Sequence, residues 1–365
     1  MKLIQVIPEW VNLVGLALCI GVVSCRLWVL EPSTGRKDYQ RDIIPGMWKL
    51  FYFGLAMLTA GSIVGLLMRS SELTGRSFPA FFPLLPTVLF LTHYGRVWLV
   101  RIAALILLVF LTAAGKRNRD SATFLIFIFF LVLIVSVTGS ATGHASDAGD
   151  FSFPEMMDWL HTLAASFWGG GLMVLSSAVL PKLTPSGERM AARIAGAARR
   201  FSVIAGAAVG VLVITALYNF WAYVRTASAL SQTAYGLAVA AKIILFFVLI
   251  NLGAFNRYVR VPLLQEWAGR PVGKEGFISR VANLFFTPFK RDLDGHELAV
   301  RFKRSVWVEA SLVVMVLFCA GLLRHEIPAR HAEHMLMRQQ GEGHSKTHSS
   351  GSMNMDHPQD DHQAR

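Results

Sequence analysis

Charge is scarce in this chain. Asp, Glu, Lys and Arg make up 16% of its 365 residues against 54% hydrophobic, and the mean hydropathy is +0.48. Soluble domains carry about 25% charged residues, so an ordinary water-soluble domain is excluded. Cysteine is scarcer still. Cys19, Cys25 and Cys319 all fall in apolar runs, and no Cys-x-x-Cys pair occurs. An odd count without a framework argues against structural disulfides, and the three read as small buried hydrophobes. There is no Gly-x-x-x-x-Gly-Lys-Ser/Thr motif, which excludes pumping driven by nucleotide hydrolysis within this chain. The apolar runs are continuous rather than alternating, which excludes a transmembrane β-barrel. A basic leader is lacking too. Only Lys2 precedes the first run, and Glu9 stands directly before it, so the cleavage-like box Val22-Val23-Ser24-Cys25 reads as part of an uncleaved helix.

Long apolar runs are what the chain has in abundance. Eight occur, near 9–30, 47–68, 87–114, 122–143, 157–180, 202–224, 235–256 and 304–323. Each is about as long as a helix needs to cross a bilayer. The expected fold is an all-α polytopic bundle of eight transmembrane helices over residues 1–325. Residues 326–365 follow as a polar, disordered His/Met-rich tail. Phe78–Pro86 holds three prolines in nine residues, which predicts an irregular lead into the third span. "FISRVANLFFTPFK" is amphipathic and basic and predicts a surface helix on the bilayer.

The net charge of +12 reflects topology rather than nucleic-acid binding. Basic residues crowd alternate loops: Arg26 to Lys49, Lys116 to Arg119, Lys182 to Arg200, and ten between Arg257 and Arg304. The loop His144–Pro154 has none. Basic loops stay cytoplasmic, so both termini and that loop are expected outside.

Ionisable residues inside spans usually face the bundle interior or a cavity. On the predicted topology His93 lies in the outer half of the third span and His144 at the outer mouth of the fourth. Met156, Met157, Asp158 and His161 open the fifth. Met157 and His161 are spaced i, i+4 and Asp158 and His161 i, i+3, so either pair shares a helix face. His93, His144, His161, Met156 and Met157 are thus candidate metal ligands, with Asp158 placed to hold the second imidazole nitrogen of His161. Imidazole suits several metals, but thioether favours Cu(I), so the mixed set points to a copper ion. The tail repeats this chemistry at His331, His334, His344, His348, Met353, Met355, His357 and His362. The plainer readings stand beside these. A single His near a helix end is usually an interface residue, Met156 and Met157 also read as packing, and Arg101, Lys242 and Glu309 read as buried ion pairs. Trp168 with Gly169–Gly171 indicates close helix packing.

Several short stretches carry a family resemblance: "TGHA" (142–145), "HTLAASFWGGG" (161–171), "RRFS" (199–202), "YGLAVAAK" (235–242), "FNR" (255–257), "LTHYGRVWLVR" (91–101) and "RFKRSVWVEASLVVMVL" (301–317). In that order and spacing, over about 87–323, the chain resembles the copper resistance D (CopD) family of inner-membrane proteins. The resemblance implies an eight-helix copper homeostasis protein, not an enzyme, that moves copper across the membrane and works with a separate periplasmic carrier of the CopC type. It carries His144 and His161 over as functional candidates, and Trp168, Lys242 and Glu309 as structural or pathway residues. Two other functions compete. A haem-binding electron carrier would use His93, His144 and His161 as axial ligands and show a Soret band. A non-transporting sensor or metallochaperone would lose all copper tolerance with its tail.

Overall fold

A computed structural model describes residues 3–30, 37–143, 149–183, 188–224, 230–231, 233–269 and 295–324. Within them the chain is a helical bundle with eight helices long and apolar enough to cross a membrane. The cores of these spans are α1 (Leu3–Ser24), α2 (Lys37–Thr74), α3 (His93–Ala114), α4 (Ala122–Ser140), α5 (Phe153–Val174), α6 (Glu188–Tyr223), α7 (Ala234–Phe255) and α8 (Gly295–Leu323). Every apolar run of the sequence becomes one of them. The described residues contain no strand. The expected surface helix at 277–290 and the tail from 325 onward lie outside the described residues.

The helix starts and stops follow local chemistry. The proline-rich lead into α3 forms turns, a short 3-10 segment at Phe82–Leu84 and a short helix at Leu85–Leu91. The chain then breaks at Thr92, which is extended (φ −95°, ψ 152°) and caps α3 by accepting from the Gly95 amide at 3.0 Å. A hydroxyl in that position satisfies one of the orphan amides of a helix start. Ser152 precedes α5 without a side-chain cap bond, and the Glu155 carboxylate instead reaches back to accept from the Phe151 amide at 2.6 Å, satisfying a donor just ahead of the helix start. Three helices, α1, α5 and α7, run on into single wide turns, Cys25–Val29, Leu175–Val179 and Asn256–Arg260.

α1 and α5 are the most deeply buried spans, and glycine explains how they meet. A Cβ on Gly170 would strike the Ala17 carbonyl, and one on Gly21 would strike the Gly170 backbone. On the other side of α1, a Cβ on Gly15 would sit 2.6 Å from the Gly54 carbonyl of α2. Small residues let helix backbones touch where lipid offers no hydrophobic drive to associate. The neighbours Gly169 and Gly171 press against Val313 of α8 and the Phe201 ring of α6. α5 therefore touches three helices over three successive residues, the close packing that the glycine run predicted. Trp168 packs edge-on to Phe246 with ring centroids 5.7 Å apart.

The ends of the spans form two faces. One gathers the starts of α1, α3, α5 and α7 and the ends of α2, α4, α6 and α8. Gln5 bonds Glu72 there at 2.8 Å, and Arg324 pairs with Glu9 at 3.2 Å. The opposite face is rich in arginine. Arg26 pairs with Asp120 at 2.7 Å and Arg200 donates to the Val29 carbonyl at 2.6 Å. Lys303 bonds the Leu183 carbonyl and Arg257 the Ser202 carbonyl. Arg200 and Lys303 thereby cap the C-terminal ends of α1 and α5, where free carbonyls and the helix dipole favour positive charge.

Candidate functional site

Three helices bring polar groups to one depth. His161 lies eight residues in from Phe153 at the start of α5, Lys242 eight in from Ala234 at the start of α7, and Thr215 eight before Tyr223 at the end of α6. At 1.5 Å per residue this is about 12 Å below the His93 face for each. They touch: His161 Nδ1 is 2.9 Å from Thr215 Oγ1, and His161 Nε2 is 3.4 Å from Lys242 Nζ.

The hydrogen bonds fix the imidazole tautomer. The Thr215 hydroxyl donates its one proton backwards to the Val211 carbonyl at 2.8 Å. It therefore offers only lone pairs to His161. Nδ1 must carry the hydrogen and donate it to Thr215 Oγ1. In the neutral ring Nε2 is then the bare nitrogen, and it points at Lys242. A histidine held in this way, one nitrogen spent on a hydrogen bond and the other presenting its lone pair, is set up as a metal ligand. Met157 stands one turn above His161 on the same face of α5 and is half-buried.

Toward the rim the charges form a chain. Asp158 is 3.9 Å from Arg324, which pairs with Glu9 at 3.2 Å and contacts the Gly139 carbonyl at 3.5 Å. Asp158 does not hold His161, as the sequence had led us to expect. Thr215 fills that role, and Asp158 turns toward Arg324 instead. Three residues along a helix put two side chains on one face, but a neighbouring helix that offers a cation redirects one of them.

His93 is the first residue of α3 and is exposed at the mouth. Its Nε2 is 3.2 Å from the Ala141 carbonyl and 3.4 Å from Asp150. It sits at the rim, about two helical turns above His161, rather than beside it. Met156 is 45% exposed and points away from the bundle. Among the described residues no three His, Cys, Asp or Glu side chains gather around one point. His144 and all eight tail candidates, from His331 to His362, lie outside the described residues.

Of the three charged residues that read as buried ion pairs, two meet other polar partners and the third meets none among the described residues. Lys242 faces His161. Glu309, midway along α8, is buried and accepts from Asn256 Nδ2. Asn256 also donates to Ser305 Oγ at 3.0 Å and accepts from Arg260 at 2.8 Å. Arg101 has no ion pair with any described residue, and its Nε is buried without a hydrogen-bond partner. Thr215, Arg324 and Asn256 were the residues that sequence reasoning passed over. Arg324 left one signal, as the first charge after the last apolar run.

Two family descriptions match the chain. "Copper resistance protein D-like, N-terminal domain" covers residues 1–151 and "Copper resistance protein D" covers 195–323. Together they take in most of the chain, and α5 with His161 falls between them. Among curated proteins, the copper transport protein CutJ of Bacillus subtilis (strain 168) is 30% identical over 250 residues, 66% of this chain. This chain spans under half of that protein, 44% of its length. Copper resistance protein D of Pseudomonas syringae pv. tomato is 25% identical over 258 residues, 69% of this chain and 80% of that protein. No solved structure matches. Eight membrane-crossing helices in this order, and both segments of one family in sequence along them, place the chain in the copper resistance protein D family.

Proposed function

We propose that this chain moves copper across the bacterial inner membrane and that His161 is the ligand inside the bundle. One observation carries the reading: His161 Nδ1 is fixed by Thr215, which leaves Nε2 as a bare donor in the interior of a chain from a copper resistance family. Copper entering from the His93 face takes Nε2 in place of the Lys242 ammonium, with Met157 one turn above as a soft second donor. His144, His93 and Met156 serve the approach from the rim. The arginine-rich face is cytoplasmic by the positive-inside rule. The His93 face is then periplasmic, as are both termini, and the tail histidines and methionines collect copper there. Copper also reaches this face from a separate CopC-type carrier. Glu309 and Asn256, deeper along α7 and α8, supply polar groups on the way toward the cytoplasm.

The test is copper accumulation in cells that lack their own uptake route, with the wild-type chain and with His161→Ala/His144→Ala. The double variant should fall to the empty-vector rate, and purified wild type in liposomes should move copper. Accumulation by the double variant equal to wild type, or liposomes that carry none, defeats the proposal. A Soret band in the purified protein would assign the histidines to haem instead.

A further inference from the structure

A second polar site lies between α1, α2, α3 and α4, on the His93 side of the bundle and away from His161. Each helix gives it one face. Glu9 and Asn12 come from α1 at i, i+3, Tyr94 and Arg101 from α3 at i, i+7, and Thr138 and Thr142 from the end of α4 at i, i+4. The cavity has room for about one water molecule.

Its hydrogen bonds are unbalanced. The hydroxyls of Thr138 and Thr142 spend their protons on helix carbonyls, Val135 at 2.7 Å and Thr138 at 3.1 Å. The Asn12 carbonyl oxygen accepts from Ser62 at 3.3 Å, which leaves its NH₂ unused. Tyr94 makes no side-chain hydrogen bond to a described residue, and neither does Arg101. A guanidinium has five N–H donors, an amide two and a phenol one. The one carboxylate lining the cavity, Glu9, is committed to Arg324 at 3.2 Å and lies beyond ion-pair distance of Arg101. The cavity is thus donor-rich and holds a cation whose one nearby carboxylate makes no contact with it and is shared with Arg324, within a membrane span, where a charge is kept only with a partner or with water.

We propose that this cavity binds a small monovalent anion of halide size, held by the Arg101 guanidinium with the Tyr94 hydroxyl and the Asn12 amide as further donors. Volume decides the class. A space for about one water is nearest in size to a halide such as chloride and too small to enclose phosphate or sulfate. Charge decides against water alone, because water supplies an acceptor but does not neutralise the guanidinium. Arg101 Nη2 packs beside Gly139, 3.7 Å from where a Cβ there would stand. Arg324 rests on the carbonyl of the same residue. The anion site therefore adjoins the charge chain that ends at Asp158. The proposal is independent of the copper reading.

The experiment is thermal unfolding of the purified full-length chain in detergent, with chloride or bromide replacing gluconate at constant ionic strength. The midpoint should rise saturably, by several degrees, with either halide and stay flat with gluconate or sulfate. Arg101→Met should lose the response, while Arg96→Met, which removes an exposed charge from the same helix, should keep it. Tyr94→Phe should raise the half-saturating chloride concentration several-fold, a readout that survives if Arg101→Met does not fold. Glu9→Gln should lower it, because a nearby negative charge is removed. Equal responses to chloride and gluconate, or a halide response intact in Arg101→Met, overturns the proposal. So does a Glu9→Gln variant whose half-saturating chloride concentration rises, since removing a nearby negative charge must strengthen anion binding at Arg101.

Discussion

Replacing Thr215 by valine is the sharpest test of how His161 is prepared. Valine keeps the shape of threonine and has a similar helix propensity, so the change removes one hydroxyl and little else. Two things follow. The Nδ1–H of His161 loses its acceptor at 2.9 Å, which leaves a buried donor unpaired at a cost of about 1–3 kcal/mol. The imidazole is also released from the tautomer that bares Nε2. Loss of such a partner typically lowers metal affinity about 10–100-fold, equivalent to about 1.4–2.8 kcal/mol at 1.4 kcal/mol per decade. The assay is the initial rate of copper accumulation well below saturation, where rate follows affinity. Thr215→Val should run 10- to 100-fold slower than wild type, and Thr215→Ser, which restores the hydroxyl, should recover most of the rate. If Thr215→Val accumulates copper at the wild-type rate while His161→Ala does not, the hydroxyl does not prepare the ligand. If Thr215→Ser is as slow as Thr215→Val, the methyl group matters and the hydrogen bond does not.

Further substitutions test the frame around the site. Gly15→Ala puts a Cβ 2.6 Å from the Gly54 carbonyl and 2.9 Å from the Leu58 amide nitrogen, and should destabilise by about 1–3 kcal/mol through overpacking. Gly210→Ala, with nothing within 4 Å, should be neutral or stabilising by up to about 1 kcal/mol, and thermal unfolding in detergent compares the two. Asn256→Leu leaves the buried Glu309 carboxylate without its donor and should lower the unfolding midpoint more than Glu309→Gln does, since an unpaired buried charge costs about 3–5 kcal/mol. Glu155→Ala removes the acceptor of the Phe151 amide and should cost about 1 kcal/mol, seen as faster hydrogen exchange confined to residues 149–156.

Much of the fold could be read from hydropathy alone, because a bilayer leaves a polar backbone few choices. Eight runs became eight spans, and the proline cluster before His93 became an irregular lead followed by a break. His161 was legible as an ionisable residue in the first turns of an apolar helix. Its partners were not. Thr215 and Lys242 lie far along the chain, and only the shared count of eight residues from three helix ends sets them at its depth. The expectation for Asp158 rested on spacing within one helix, whereas Arg324 of another helix decides where that carboxylate turns. Arg101 shows the same limit from the other side. A buried arginine implies a counter-charge, yet the carboxylate nearest in the fold is already held by a different arginine.

The run of three glycines in α5 has a consequence for how the chain divides. The two family segments meet across this helix: α1 of the first sinks into its glycine notch, and α6 and α8 of the second lean on its other sides. Neither segment encloses a complete hydrophobic interior by itself. A version of the chain cut on either side of α5 would leave one part without its wall.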